Sequence, residues 1–496
     1  MPEGKVYLIG AGPGDAELLT LKGLRFLKEA EVVIYDRLIN PELLRYIPEK
    51  AEVIYVGKSA DKHTLEQNKI NRLLVKLAKQ GKKVVRLKGG DPFLFGRGAE
   101  EALFLAKHRI DFEVVPGISS AISVPAYAGI PLTHRNYSSS VGIFTGQEAF
   151  KKETINWEKV STGLDTLVFL MGVRNLEKIV NNLIKFGRPK DTPCCLIRWG
   201  TIPKQKSIYA DLKTIIKKAK EEKITPPAVF VVGKISSLRK KLNWYEKKKL
   251  FGKKILITSP LESFQKISNL LRNYGASCLR LPILEVKPIK DPKFNSYINR
   301  IKDFDWIIFT SQNAVKFFKE GLNYLNKDMD ILKEKSLYAI GPETKRVLEN
   351  FGLRADIPKR FCQEGLIDAF RDIKLEKKKI LIVCSQKSRK FLSEQLKKLG
   401  AEVKVLAVYR IEESQKEKKF SEISKDLDLI VFTSPSCVRG YFRNFKQKGK
   451  IPIASIGPVT SQELLNFGFR PDIQAKEYTF EGLVKEILNY FHDKYH

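Results

Sequence analysis

The stretch Gly252–Val286, GKKILITSPLESFQKISNLLRNYGASCLRLPILEV, decides the fold of the second half of the chain because it is repeated. The second copy is Lys378–Ile411, KKILIVCSQKSRKFLSEQLKKLGAEVKVLAVYRI. Each copy reads as an apolar strand, a polar turn, an amphipathic helix, a glycine and another strand. A repeat of such units predicts two similar α/β lobes.

Two more pairs of segments extend this repeat. Phe304–Phe318, FDWIIFTSQNAVKFF, parallels Leu427–Phe442, and Leu337–Pro358, LYAIGPETKRVLENFGLRADIP, parallels Ile453–Gln474. Short apolar strands that alternate with helices are typical of parallel doubly wound sheets. The extended segments LRLPILEVKPIKD and VKVLAVYRIEES leave the first and fourth units, and we expect them to cross between lobes, which would make the lobes discontinuous.

The predicted strand ends of this half carry hydroxyl side chains. The sequence FTS occurs there twice, and so does the pattern IGPxT. Ligands of such sheets bind beyond the carboxyl ends of the strands, where helix N-terminal amides favour anions. This arrangement suits a substrate that carries carboxylates. The same Ser and Thr residues would serve equally well as helix N-caps, and the pattern leaves both roles open.

Six motifs follow one another in this half: FTSQNAV, AIGPETKRVLENFG, IPKRFCQEGL, VYR, FTSPSCVRGYF and SIGPVTSQELLNFGFRPDIQAKEYTFEGL. In this order they resemble the uroporphyrinogen-III synthase family. The resemblance implies two discontinuous lobes joined by a two-stranded ladder, one at about 253–286 plus 411–496 and the other at about 287–410. It implies cyclisation of hydroxymethylbilane, assisted by the catalytic Tyr409. It also implies substrate contacts at Thr310, Ser311, Thr344, Ser434 and Thr460.

The first half opens with Tyr7–Gly23, YLIGAGPGDAELLTLKG, in which a strand leads into glycines as in a dinucleotide-binding turn. That turn requires the spacing G-x-G-x-x-G. Here the glycines read G-x-G-x-G, Pro13 lacks a backbone N–H, and the carboxylate of Asp15 would repel a phosphate. We therefore expect no NAD.

A second glycine-rich loop lies within Gly81–Glu101, GKKVVRLKGGDPFLFGRGAEE. Glycines let the backbone approach a ligand closely, and Asp91 could accept hydrogen bonds from an amine or a ribose. With GAGPGD, VIYDRLI, VGKSADKH, VVPGISSAISVPAYAGIPLTHR, TLVFLMG and RWGT, this loop resembles the uroporphyrinogen-III C-methyltransferase family over residues 1 to about 245.

This resemblance implies S-adenosylmethionine bound between two α/β lobes. The implied donor contacts are Pro13, Gly89, Gly90, Asp91, Leu94, Ser119, Ser120, Met171, Gly200 and Ala228. Asp36 matches the proton acceptor of the family and Lys58 its proton donor. Gln147 stands where many relatives have histidine, so that position receives no catalytic role.

Composition sets wider limits on the function. The chain has 89 Lys and Arg against 56 Asp and Glu, a formal net charge of +33. A solvated lysine-rich surface, attraction of a polyanionic substrate and nucleic-acid binding all fit this excess. The six cysteines form no CxxC pair and the five histidines are scattered, so we expect buried thiols and no metal. Without a long apolar run or a leader sequence, the expected location is the cytoplasm and no membrane partner is expected.

The sequence therefore predicts an α/β bifunctional enzyme of sirohaem and cobalamin synthesis. It would consist of a methyltransferase at 1–245, a linker at 246–252 and a synthase at 253–496. The synthase would form uroporphyrinogen III, and the methyltransferase would methylate it at C2 and C7 to precorrin-2. The expected partners are tetrapyrrole polycarboxylates, with room for a homodimer through the methyltransferase half. A methyltransferase of a later corrin intermediate and a basic tetrapyrrole or nucleic-acid binding protein with degenerate sites are the alternatives.

Overall fold

The structure is a computed structural model that describes residues 4–57, 67–146, 155–281, 284–289, 291–371, 373–413, 426–445 and 451–493. The chain divides into two compact units. One contains the described residues up to Ile255, with Asn269–Cys278 and those from Leu488 onward, and the other contains Leu256–Ser268 and the described residues from Leu279 to Ile487. Within these ranges, no helix combines the length and the apolar character that a membrane crossing requires.

The first sheet is wholly parallel, with the order β3-β2-β4-β1-β5. Its strands are β1 Lys5–Gly10, β2 Val32–Tyr35, β3 Glu52–Tyr55, β4 Val84–Lys88 and β5 Asp111–Val115. Its helices are Leu21–Lys28, Gln67–Lys79 and Gly98–Lys107, with 3₁₀ turns at Ala16–Leu18 and Pro41–Tyr46. The central strands consist mainly of buried Val, Ile and Leu because a hydrophobic cluster covers each face. The loops after β1, β2 and β4 therefore meet at one edge.

The second sheet is mixed, with the order β6-β7-β10-β8-β9. Its strands are β6 Val141–Thr145, β7 Thr166–Leu170, β8 Pro193–Arg198, β9 Lys206–Asp211 and β10 Ala228–Val232. Only β6 and β7 pair in parallel, and the other neighbours are antiparallel. The helices around it are Ser120–Tyr127, Trp157–Gly163, Leu176–Lys185, Ile215–Glu221 and Arg239–Leu242, with 3₁₀ turns at Val173–Asn175 and Lys234–Leu238.

Two further five-stranded sheets form the second half. One has the order β12-β11-β18-β19-β20, from β11 Lys254–Ile257, β12 Ser277–Arg280, β18 Leu429–Phe432, β19 Ile453–Ser455 and β20 Ile473–Gln474. The other has the order β13-β17-β16-β14-β15, from β13 Leu284–Pro288, β14 Trp306–Phe309, β15 Ser336–Ala339, β16 Lys379–Ser385 and β17 Glu402–Glu413. The helices are Leu261–Asn273, Lys293–Asn299, Gln312–Tyr324, Pro342–Glu349, Gln363–Phe370, Phe391–Lys398, Pro435–Asn444, Pro458–Asn466 and Phe480–Asp493, with 3₁₀ turns at Ile301–Asp303 and Met329–Leu332.

The predicted fold class of this half is confirmed. Neighbours β18, β19 and β20 pair in parallel, as do β15, β14, β16 and β17. The two predicted crossing segments become β13 and β17, which pair antiparallel over Leu284–Pro288 and Tyr409–Glu413. This pairing is the two-stranded ladder that the resemblance implies.

The predicted linker, residues 246–252, is anchored at its first residue. The carboxylate of Glu246 accepts hydrogen bonds from Gln205 Nε2 at 2.8 Å, just before β9, and from Ser207 Oγ at 2.5 Å, in β9, and it pairs with Arg239. This residue therefore belongs structurally to the first half. The predicted domain boundaries themselves stay a prediction.

Candidate active sites

Two glycine loops pair at the carboxyl edge of the first sheet. Gly12 and Gly90 exchange backbone hydrogen bonds of 3.2 and 2.7 Å, which joins the GAGPGD loop to the GGD loop. A Cβ atom on Gly10 would lie 2.5 Å from the Cα of Gly117, so only glycine allows these backbones to meet. These glycines thus allow three chain segments to approach each other closely.

The carboxylate of Asp91 shapes the second loop. Its Oδ1 accepts from the amides of Phe93 at 2.8 Å and Leu94 at 3.0 Å, and its Oδ2 accepts from the amide of Gly117 at 2.9 Å. The preceding Gly90 has φ of +69°, a backbone conformation that favours glycine, and a Cβ there would be in ordinary contact with Ser120 at 3.9 Å. Asp91 therefore holds this loop in place.

The GAGPGD loop also meets the loop that follows β8. The amide of Asp15 donates to Thr201 Oγ1 at 3.1 Å, and a Cβ on Gly14 would lie 2.8 Å from that oxygen and 3.1 Å from the carbonyl oxygen of Gly200. Pro13 directly precedes this contact. The structure therefore brings the predicted donor contacts Pro13 and Gly200 to one place.

The predicted serines start the helix that faces Gly90. The Oγ of Ser119 accepts from the amide of Ala121 at 3.2 Å and so caps the helix Ser120–Tyr127. The amide of Ser120 lies 3.9 Å from where a Cβ of Gly90 would be. The start of this helix therefore lies beside Gly90.

The remaining predicted donor contacts lie at one end of the second sheet. Met171 follows β7 and Ala228 begins β10, and the antiparallel register of β7 and β10 makes them neighbours. Leu94 packs on the hydrophobic cluster that contains Leu170. Met171 is 47% exposed and has φ of +57°.

Other residues near these loops share the unusual left-handed backbone: Phe95, Arg97, Trp199 and Thr201. Such strain clusters at functional sites, where the surrounding fold holds it in place.

Asp36 follows β2 at the same edge, and its side chain is 31% exposed. Both of its carboxylate oxygens accept from Nη2 of Arg86, at 2.8 and 2.9 Å. Arg86 lies in β4 and is 2% exposed. Sequence reasoning missed this partner, although an arginine inside the apolar stretch VVRLK was a visible signal. The other predicted catalytic residue, Lys58, lies outside the described residues, as does Gln147.

In the second half, two predicted site residues contact each other. The hydroxyls of Tyr409 and Ser311 are 3.0 Å apart, and either can be the donor. Tyr409 is 7% exposed and stacks on Phe317, with ring centroids 5.7 Å apart. Ser311 also caps the following helix by accepting from the amide of Ala314 at 3.1 Å. The tyrosine hydroxyl therefore reaches the start of a helix.

The other four predicted substrate contacts have partners within the fold or are buried. Thr310 Oγ1 donates to the carbonyl of Val383 at 3.2 Å. Ser434 Oγ accepts from the amide of Cys437 at 3.3 Å and so caps its helix, as Ser311 does. Thr344 and Thr460 are 6% and 3% exposed within helices whose preceding glycines provide no side-chain cap.

Five of the six cysteines are buried, and Cys362 is intermediate. Burial raises the pKa of the Cys195 and Cys278 thiols to about 12. In the part of the chain that the structure describes, no group of three or more His, Cys, Asp or Glu residues could hold a metal ion.

Comparisons with known proteins show the family of the chain. The family of tetrapyrrole (corrin/porphyrin) methylases matches residues 5–216, and the uroporphyrinogen-III synthase HemD family matches residues 265–485. A porphyrin biosynthesis protein HemD from Ruminiclostridium josui is 36% identical, and the match covers 98% of each chain. The chain belongs to the family of this HemD-type protein. It is a bifunctional enzyme of tetrapyrrole biosynthesis with a methyltransferase half and a uroporphyrinogen-III synthase half.

Two methyltransferases are similar to about half of this chain. The uroporphyrinogen-III C-methyltransferase of Bacillus subtilis strain 168 is 49% identical, and the match covers 49% of this chain and 95% of that protein. The crystal structure of uroporphyrin-III C-methyl transferase from Thermus thermophilus, complexed with S-adenyl homocysteine, is 39% identical. It covers 47% of this chain and 99% of its own, with a TM-score of 0.42.

Proposed function

We propose that this enzyme closes hydroxymethylbilane to uroporphyrinogen III and then methylates that product at C2 and C7 with S-adenosylmethionine, giving precorrin-2. The observation that carries the methylation is the position of Asp36. Its partly exposed carboxylate lies at the sheet edge where the two paired glycine loops meet. The carboxylate proposed as proton acceptor therefore lies at the same sheet edge as the glycine loops proposed to bind the methyl donor.

The residues at this edge fit S-adenosylmethionine, which supplies an electrophilic methyl group when bound. An adenosine moiety would lie against Gly89, Gly90 and the start of the helix Ser120–Tyr127, which are neighbours in the fold. The remaining contacts with the methyl donor would come from Pro13, Gly200, Met171, Ala228 and Leu94. The backbone carbonyls of the glycine loops would accept from its amino and ribose hydroxyl groups.

Asp36 has a defined chemical task in this proposal. When a pyrrole carbon forms its new bond to a methyl group, the sulfur–carbon bond breaks and the ring becomes a cationic iminium. The Asp36 carboxylate stabilises this cation and takes the proton that a neighbouring bridge carbon loses. Lys58 would pair with a substrate carboxylate or return a proton.

Ring closure would depend mainly on how the linear substrate is held. The hydroxyl of Tyr409, held by Ser311 at 3.0 Å, would assist the departure of the substrate hydroxyl as a weak acid. The carboxylates of the substrate would accept hydrogen bonds from the amides at the starts of the helices after Ser311 and Ser434, and from Thr310, Thr344 and Thr460.

Counting methyl groups tests the methylation. Purified full-length enzyme is supplied with uroporphyrinogen III and excess S-adenosylmethionine under anaerobic conditions, and the product is analysed by mass spectrometry. The proposal predicts two added methyl groups and a plateau there. If uroporphyrinogen III stays unmodified while a later corrin intermediate is methylated, the proposed acceptor is wrong and the alternative acceptor takes its place.

A further inference from the structure

A chain of ionic side chains runs from the interior of the first sheet to Asp36. Lys88 Nζ lies 2.9 Å from Glu101 Oε1, and the same oxygen accepts from Arg86 Nε at 3.2 Å. Arg86 Nη2 then reaches Asp36. The side chains of Lys88, Glu101 and Arg86 are 4%, 0% and 2% exposed, so only the Asp36 end meets solvent.

Each nitrogen of the Arg86 guanidinium has its own acceptor. Besides Nε and Nη2, which reach the two carboxylates, Nη1 lies 3.4 Å from the carbonyl of Ile34 and 3.5 Å from that of Leu87. Glu101 also accepts from Gln67 Nε2 at 3.0 Å. Arg86 is therefore fixed from several sides, and a fixed guanidinium confines the carboxylate that it holds.

The charges of this group balance only when Asp36 is included. Arg86 and Lys88 carry two positive charges, whereas Glu101 supplies one buried negative charge. Burial and the neighbouring Arg86 lower the pKa of Lys88, while Glu101 acts in the opposite direction. Buried ion pairs contribute little net stability compared with apolar side chains of similar volume. Stability is thus a weak reason for an arginine in the centre of this strand.

We propose that Arg86 is a positioning residue that holds the Asp36 carboxylate in the orientation needed for proton removal during methylation. This inference rests on the function proposed above for Asp36. Both carboxylate oxygens share one nitrogen donor, so the carboxylate cannot rotate freely. Without that donor the carboxylate would sample several orientations, and a small misplacement of a catalytic group can lower the rate by about 100-fold.

The matched pair Arg86→Met and Lys88→Met tests the proposal. Each variant removes one buried cation from β4 and leaves the other cation to neutralise Glu101. Arg86→Met should lower kcat for methylation by about 30- to 100-fold, with KM and the Kd for S-adenosylhomocysteine changed by less than about twofold. Lys88→Met, one link further from Asp36, should keep kcat within about threefold of the parent even if its melting temperature falls equally.

A double-mutant cycle with Asp36→Asn separates positioning from general damage. If Arg86 acts through Asp36, then Arg86→Met should add almost no further loss in the Asp36→Asn background. Arg86→Lys, which keeps the charge but lacks the planar fork, is used if Arg86→Met does not fold, and it should recover only part of kcat. Equal kcat losses for Arg86→Met and Lys88→Met, or additive losses in the cycle, would overturn the proposal.

The two proposals can fail separately. All variants are also assayed with a later corrin intermediate as the methyl acceptor. Activity of the parent enzyme on that acceptor alone overturns the proposed substrate, while the comparison of Arg86→Met with Lys88→Met still decides the role of Arg86.

Discussion

Tyr409→Phe removes one hydroxyl from the second half and nothing else. That hydroxyl contacts Ser311 at 3.0 Å, and Ser311 retains its bond to the amide of Ala314 at 3.1 Å in the variant. Loss of one such hydrogen bond costs about 1 kcal/mol of unfolding free energy. For a unit of this size, the melting temperature should fall by about 2–4 °C.

The expected loss of activity is larger than the loss of stability. A weak general acid contributes about 100-fold to the rate, which corresponds to about 2.7 kcal/mol in the activation barrier. We therefore expect ring closure by Tyr409→Phe to slow about 100-fold at a temperature where the protein is folded. The assay follows hydroxymethylbilane and measures the ratio of type III to type I product, because spontaneous closure gives type I.

Tyr338→Phe is the control for this prediction. Tyr338 lies in β15 of the same sheet, is partly buried against Trp306 and takes no part in the proposed site. This control should keep the parental rate and isomer ratio. If Tyr409→Phe also forms type III product at the parental rate, the tyrosine is only a packing residue of the crossing strand.

Three other predictions concern the first half. Asp36→Asn should depress methylation and leave ring closure intact, and unchanged methylation would remove Asp36 from the mechanism. A fragment ending at residue 245 should have a free energy of unfolding in urea about 3 kcal/mol lower than that of residues 1–247, because Arg239 loses its partner Glu246. Equal unfolding midpoints would show that this ion pair does not stabilise the fragment. Adding NAD to freshly made precorrin-2 should give no NADH absorbance, and its appearance would contradict the interpretation of the GAGPGD loop.

The fold was largely predictable because its signals are local and repeated. Copies of the strand and helix units carry the same periodicity, and the two crossing segments follow from where each copy ends. The loops of Gly12 and Gly90 were also recognisable, since glycines at fixed positions mark places where backbones approach closely. The pairing of these two loops, however, depends on the order of the strands.

Arg86 shows where sequence reasoning reached its limit. An arginine within a buried strand requires an anionic partner, but Asp36 becomes that partner only because β2 lies next to β4. The contacts of Glu246 were likewise not visible in the sequence. It lies in the polar, lysine-rich stretch WYEKKK, which resembles a linker, yet its carboxylate is held by Gln205 and Ser207 far away in sequence.

Conversion of hydroxymethylbilane by the full-length chain tests the central claim most directly. The enzyme is incubated anaerobically with hydroxymethylbilane and S-adenosylmethionine, and the product is analysed for isomer type and methyl count. We expect a type III tetrapyrrole that carries two new methyl groups, and unmethylated type III product when the methyl donor is left out. Type I product alone, or type III product that stays unmethylated in the presence of the donor, would contradict it.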